Sequence, residues 1–270
     1  MRNNRLNLRP ALLIVPAFGY SAPMRILVVA DLHYSLKQFD WLSSVAGDYD
    51  LVVIAGDLLD LAGHVDMDTQ IVVVLKYLDR IRNQAPVFVA SGNHDGDVKN
   101  ERDEFTAQWL QRARQEHLYV DGDSVPIADN LFTVCPWWDG PVTREAMRNF
   151  IDVERLKPHK RWFWLHHAPP DRSLVSWTGK KYFGDEHLNE AIATHKPHFI
   201  FSGHVHNSPF REEGSWIDKI EETWVFNPGH EMGALPSYIV VDLEKMTATW
   251  ESSMGRESVD LTGPLPERSF

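Results

Sequence analysis

Five short apolar runs, each ending in a turn that carries a side chain able to bind a metal ion, constrain this chain more than any bulk property. Arg25–Ala30 leads into Asp31-Leu32-His33, and Leu51–Ala55 into Gly56-Asp57-Leu58-Leu59-Asp60. Pro86–Ser91 leads into Gly92-Asn93-His94-Asp95, Trp162–Leu165 into His166-His167, and His198–Ser202 into Gly203-His204-Val205-His206. Apolar runs of this length bounded by turn signals read as buried strands. In open α/β sheets, ligands bind beyond the carboxyl ends of such strands. One Asp or His after a strand is ordinary; five in order describe a metal site.

The residue types restrict that site further. Asp31, His33, Asp57, Asn93, His166, His204 and His206 offer oxygen and imidazole donors and no thiolate, which suits manganese, iron, zinc or cobalt. Seven donors exceed what one open four-coordinate ion needs and suit two ions sharing a carboxylate. In Asp31/His33 and in His204/His206 the side chains are two residues apart, so extended backbone turns both to one side. Gly56, Gly92 and Gly203 stand where the chain leaves each strand, positions that favour a residue free to take positive φ.

The ordered set D-x-H, G-D-x-x-D, G-N-H-D, a His after a strand, and G-H-x-H resembles the signature of the calcineurin-like metallophosphoesterase superfamily. It runs from Asp31 to His206. The resemblance implies an α/β fold, a four-layer αββα sandwich with two mixed β-sheets flanked by helices. It implies one metal held by Asp31, His33, Asp57 and His206, and a second held by Asp57, Asn93, His166 and His204, with Asp57 bridging. His94 would bind no metal and would face the phosphate as a catalytic residue, stabilising transition-state charge or protonating the leaving oxygen. In the fourth block the His directly after the apolar run, His166, is taken as the ligand, with His167 as the alternative. Strand alternation sets Trp162, Trp164 and His166 on one side and Phe163, Leu165 and His167 on the other. Asp60 and Asp95 are expected to orient ligand imidazoles or the His94 ring.

The activity implied is hydrolysis of phosphate esters by a metal-bridging hydroxide, with two divalent or Fe/Mn/Zn-type ions as cofactors. A small-molecule phosphodiesterase is the leading expectation. A phosphomonoesterase or phosphoprotein phosphatase is the alternative on the same site, and a metal-site scaffold for protein binding is the alternative of another class. The expected partner is a small phosphorylated substrate. A net charge of −11, from 38 acidic and 27 basic residues, argues against a nucleic-acid footprint. Two divalent ions would still make the site itself locally positive.

No apolar stretch reaches the roughly 20 residues that span a bilayer, so no membrane partner is expected. The single cysteine, Cys135, excludes an internal disulfide and is compatible with the expected cytoplasmic location. Residues 1–23 are read as a poorly ordered extension. A secretory signal there is disfavoured by Pro16 within the apolar run and by Tyr20 near the cleavage position. The catalytic domain is expected over 24–252, followed by a loose tail over 253–270.

Helical spacing is seen in Leu36–Val45, Asp68–Arg82, Glu101–Gln115, Thr143–Val153 and Glu186–Thr194, the third with Phe105, Trp109 and Leu110 inward. Antiparallel strands are expected at Trp216–Ile220, Thr223–Phe226, Tyr238–Asp242 and Ala248–Glu251. Trp137 and Trp138 lie in a loop after the Leu131–Cys135 strand and are candidates to line a substrate pocket, as is His64 in the Leu61–Asp68 loop. His230 follows another strand end, from which it could approach the metals, and has no ligand role implied by the resemblance.

Overall fold

The computed structural model describes residues 24–266. Residues 1–23, expected to be a poorly ordered extension, and 267–270 lie outside the described residues. In chain order the elements are β1 (Arg25–Val29), α1 (Leu36–Val45), β2 (Leu51–Ala55), α2 (Met67–Arg82), β3 (Val87–Ala90), β4 (Val98–Lys99) and β5 (Phe105–Thr106). They continue with α3 (Gln108–Arg112), β6 (Leu118–Val120), β7 (Ser124–Ile127), β8 (Asn130–Val134), α4 (Pro141–Glu154) and β9 (Arg161–Leu165). The last are α5 (Glu186–His195), β10 (Phe199–Phe201), β11 (Ile217–Ile220), β12 (Thr223–Phe226), β13 (Tyr238–Asp242), β14 (Thr247–Ser252) and β15 (Gly255–Asp260).

Two mixed sheets result. The first runs β15-β14-β13-β1-β2-β3-β6, and the second β11-β12-β10-β9-β8-β7. Within the first, β1, β2, β3 and β6 are parallel; within the second, β8, β9, β10 and β12 are parallel. Parallel strands are covered on both faces, which is why β1, β2 and β3 are apolar throughout rather than alternating. Ile26, Val28, Val53 and Phe88 face the layer between the sheets, where they meet Phe132, Phe163 and Phe226. Leu27, Val29, Val52 and Ile54 face outward against residues of α1 and α2, including Phe39, Leu42, Leu78 and Ile81. On the far side Trp162, Trp164 and Ile200 meet Met147 and Ile151 of α4 and Leu188 of α5. Three apolar layers between helices, sheet, sheet and helices make the expected αββα sandwich.

Two expectations fail for physical reasons. Glu101–Gln115 is not one helix: β5 pairs with β4, and only the short α3 is helical. Phe105 is exposed rather than inward, because its amide donates to Asp139 and its neighbour Glu104 accepts the Val142 and Thr143 amides. That carboxylate serves the amino terminus of α4, where free N–H groups attract an anion. Asp97 in turn accepts the Gln108 and Trp109 amides at the start of α3.

The second correction concerns the expected loose tail over 253–270. Gly255–Asp260 is a strand paired along its whole length with β14, and Val259 and Leu261 are buried in the inter-sheet layer. The hydrophobic residues there are sparse, so alternation was diluted by Arg256, Glu257, Ser258 and Asp260 on an edge strand, where charge is expected. Ending the chain after Ser252 should therefore lower the melting temperature by roughly 10 °C, from the lost burial of two apolar side chains and a strand. A thermal melt equal to that of the full chain would show the segment to be dispensable.

Candidate metal centre

The carboxyl ends of β1, β2 and β3 in one sheet and of β9 and β10 in the other deliver their turns to a common point. Asp31 and Asp57 are buried there. His206 Nε2 lies 3.2 Å from Asp31 Oδ1, and His33 Nε2 lies 3.8 Å from both Asp31 and Asp57. On the other side of Asp57, His167 Nε2 stands 3.2 Å from Oδ2. His204 completes that side, with Nδ1 2.8 Å from Asn93 Oδ1 and its amide donating to the Asp31 carboxylate. Donor atoms thus form two overlapping groups, Asp31/His33/Asp57/His206 and Asp57/His167/His204, within each of which all lie within 4.8 Å of one another. Asp57 belongs to both.

The backbone is bent to achieve this. Asp31, His33, Asp57 and His204 all take positive φ, at 54°, 40°, 53° and 66°. Non-glycine residues there are strained, and such strain persists where the surrounding structure over-determines it. Among the three turn glycines only Gly56 needs its freedom of φ, at 93°. Gly92 and Gly203 are required for space: a Cβ on Gly92 would lie 2.1 Å from Asp57 Oδ1, and one on Gly203 would lie 2.6 Å from Asp31 Oδ2.

The charge balance asks for a cation. Burial opposes ionisation of Asp57, yet His167 beside it holds its carboxyl well below the usual range. Burial likewise opposes protonation of His167, but Asp57 and Asp31 outweigh it and push its pKa up to about 9. A positive charge is thus stabilised between His167 and Asp57, and a metal ion fills the same role as that proton. Burial holds the His204 pKa down to about 4, leaving a neutral imidazole with a lone pair to give. His33 and His206 present their Nε2 atoms to each other at 3.1 Å, a spacing suited to two donors around one cation. Oxygen and imidazole donors, buried carboxylates and glycines that make room for them fit divalent ions.

The structure brings together Asp31, His33, Asp57, Asn93, His204 and His206 as expected from the sequence, and replaces His166 by His167. His166 continues the side of β9 that carries Trp162 and Trp164, so it is fully buried against the helical layer, its ring 4.2 Å from that of Trp138. Burial lowers its pKa to about 4, with Asp185 only partly offsetting the effect. His167 continues the side of Phe163 and Leu165, which faces the other sheet, and its Nδ1 is fixed by the Ala55 carbonyl at 2.7 Å. That leaves Nε2 directed at Asp57. The alternation of side chains was the available signal.

His94 sits on the rim, its Nε2 3.9 Å from Asp57 Oδ2, with the Leu61 amide donating to Nδ1 at 3.4 Å. Asp60 and Asp95 do not hold imidazoles. Asp60 accepts the Ala62 amide in its own turn. Asp95, buried, accepts the Leu58, Leu59 and Gly92 amides and so ties the turn after β2 to the turn after β3. Trp137 flanks the cluster, 5.4 Å from His204 and 5.8 Å from His167 between ring centroids, whereas Trp138 is buried and donates to Asp185. His64 lies on the exposed 61–66 segment. Of two further neighbours, His230 was expected to come near the metals from its place after a strand end, and Phe183 was not anticipated. His230 approaches Asp31, with Nδ1 2.7 Å from the Asp31 carbonyl, and Phe183 stacks on His204 at 5.2 Å.

A sequence profile of the calcineurin-like phosphoesterase family matches residues 24–208. The chain belongs to that family. Its fold is shared with a purple acid phosphatase, PPD1, from seeds of yellow lupin (Lupinus luteus), at 14% identity and a TM-score of 0.56. That superposition covers 94% of this chain and 58% of the lupin protein. The protein TT1561 of Thermus thermophilus superposes with a TM-score of 0.55 at 14% identity, over 89% of this chain and 100% of its own. No curated protein matches the chain significantly. Among the described residues no helix is long and apolar enough to cross a membrane.

The two neighbouring histidines give a direct test of the ligand set. His167→Ala should lower bound metal below two ions per chain, while His166→Ala should retain both and instead destabilise the fold. Metal analysis beside thermal melts reads both, and full metal occupancy in His167→Ala would remove that residue from the ligand set.

Proposed function

We propose that this protein is a binuclear-metal-dependent hydrolase of small phosphodiesters. The observation that carries the reading is the pair of donor groups sharing Asp57, with His94 on the open side. Asp31, His33, Asp57 and His206 would hold one ion, and Asp57, Asn93, His167 and His204 the other. When bound, such ions supply Lewis acidity toward phosphoryl oxygens and acidify a water near neutral pH.

The chain's own groups then divide the remaining work. The Leu61 amide hydrogen occupies His94 Nδ1, so the neutral ring carries its hydrogen on Nε2, the atom that faces Asp57. From there His94 can donate to a phosphoryl oxygen or to the departing alkoxide. Trp137 and Phe183 cover two sides of His204 with apolar surface, limiting water around the reacting centre. Among the described residues no lysine or arginine pairs with Asp31 or Asp57. A diester carries one negative charge at the scissile phosphate and needs less cationic contact there than a monoester dianion, which favours the diesterase reading over a phosphatase.

His94→Ala should keep both ions and lower turnover by roughly 10²–10⁴, the usual contribution of a positioned acid. The loss should be largest for esters with poor leaving groups; loss of metal instead would make His94 a ligand. Stripping the protein of metal and reloading it with manganese, zinc or iron should restore hydrolysis of bis(4-nitrophenyl) phosphate ahead of 4-nitrophenyl phosphate. A preference for the monoester would overturn the diesterase reading, and no hydrolysis of either with any metal would overturn the enzyme reading.

A further inference from the structure

Between β9 and α5 the chain makes an excursion over residues 168–185 that none of the motifs requires. Its tip is a tight hairpin: Trp177 and Tyr182 form an antiparallel bridge, and Gly179 takes a φ of 87°. Thr178 closes the turn, its hydroxyl and amide donating to the Lys181 carbonyl and its hydroxyl accepting the Lys181 amide. The base is anchored, with Asp218 accepting from Ser173 and Leu174 and Asn227 donating to the Val175 carbonyl. The arm is therefore held in place before any ligand arrives, which reduces the ordering cost of binding.

Alternation sorts its side chains. Trp177 and Tyr182 meet across the hairpin at 4.9 Å on one side. Lys181 and Phe183 share the other, with Lys181 Nζ 5.3 Å from the Phe183 ring centre. Phe183 in turn lies nearly parallel to the His204 ring, at 18°, and is 49% exposed. A ring half open to solvent, stacked on the His204 imidazole and with an ammonium group over it, offers apolar contact to an aromatic ligand beside a cation. Lys180 and Lys181 are exposed, and neither pairs with a carboxylate among the described residues. In a chain of net charge −11, two adjacent exposed cations on the arm that brings Phe183 to the His204 ring are a local exception.

Resting on the phosphodiesterase reading, we infer that this arm binds the body of the substrate, an aromatic phosphoester carrying a second anionic group, of the kind presented by a nucleotide with a further phosphate. The base packs against the solvent-open part of the Phe183 ring, and the second phosphate is drawn to Lys180 and Lys181, while the scissile phosphate sits at the Asp57 cluster. The exposed lysines contribute attraction that weakens with ionic strength.

The test compares two diesters, the 4-nitrophenyl ester of a nucleoside 5′-phosphate and the same ester bearing a 3′-phosphate, on the metal-loaded enzyme. The double variant Lys180→Ala, Lys181→Ala should raise the ratio of KM for the second substrate to KM for the first by about tenfold, with kcat little moved. Phe183→Leu should raise KM for both nucleoside esters relative to a control without a base, methyl 4-nitrophenyl phosphate. Equal changes across all substrates would overturn the arm. Calorimetric binding of a nucleoside 3′,5′-bisphosphate to the full chain reads the arm without turnover. Weaker binding to the lysine variant supports it even if no ester is hydrolysed, and equal binding to both, or none to the unmodified protein, overturns it.

Discussion

Everything in this site is arranged around one buried carboxylate. Asp57 leaves β2 into the space between two sheets, where an unpaired charge would cost several kcal/mol. It is compensated from both sheets at once: the His94 amide donates to Oδ1, and His167 arrives from β9 toward Oδ2. Asp95 fastens the same two turns through three backbone amides. The relative position of the sheets, the strained turns and the glycines beside them follow from bringing donors to this point. An ordinary packed interface would leave no reason for four positive-φ residues converging on one point.

Much of this was legible before any coordinates. The five strand-and-turn blocks lie where they were expected, because a strand buried on both faces must be apolar and its end must be polar. The site residues that the sequence located are those whose position follows from block order alone. His166 was chosen because it directly follows the apolar run; the parity of β9, with Phe163 and Leu165 inward, instead brings His167 to Asp57. The segment 101–115 misled because its helical spacing competes with hydrogen bonds to residues far along the chain, at Asp139, Val142 and Thr143. Phe183 could not be seen at all, since its place beside His204 depends on how a long excursion folds back.

The glycines refine how such motifs are read. Positive φ explains Gly56, but Gly92 and Gly203 are small because carboxylate oxygens occupy the volume a methyl group would fill. Strain has moved onto Asp31, His33, Asp57 and His204 instead. Each such residue costs of order 1–3 kcal/mol, and the three apolar layers must supply it. Rigidity in the phenylalanine-rich layer between the sheets is thus a condition of the site as well as of the fold.

The order of strands in the first sheet has a consequence for how the protein is made. β1 leads into Asp31 and His33, and its two neighbours are β2, close in sequence, and β13, about 200 residues later. As the polypeptide leaves the ribosome, every strand that leads into the Asp57 cluster emerges before β13 does. Until then one side of β1 presents bare amides and carbonyls, a template for pairing with another chain. The final hairpin of β14 and β15 follows it onto that edge. A strand made long after β1 therefore closes the edge that β1 leaves open, and the nascent chain must be kept from neighbours through that interval.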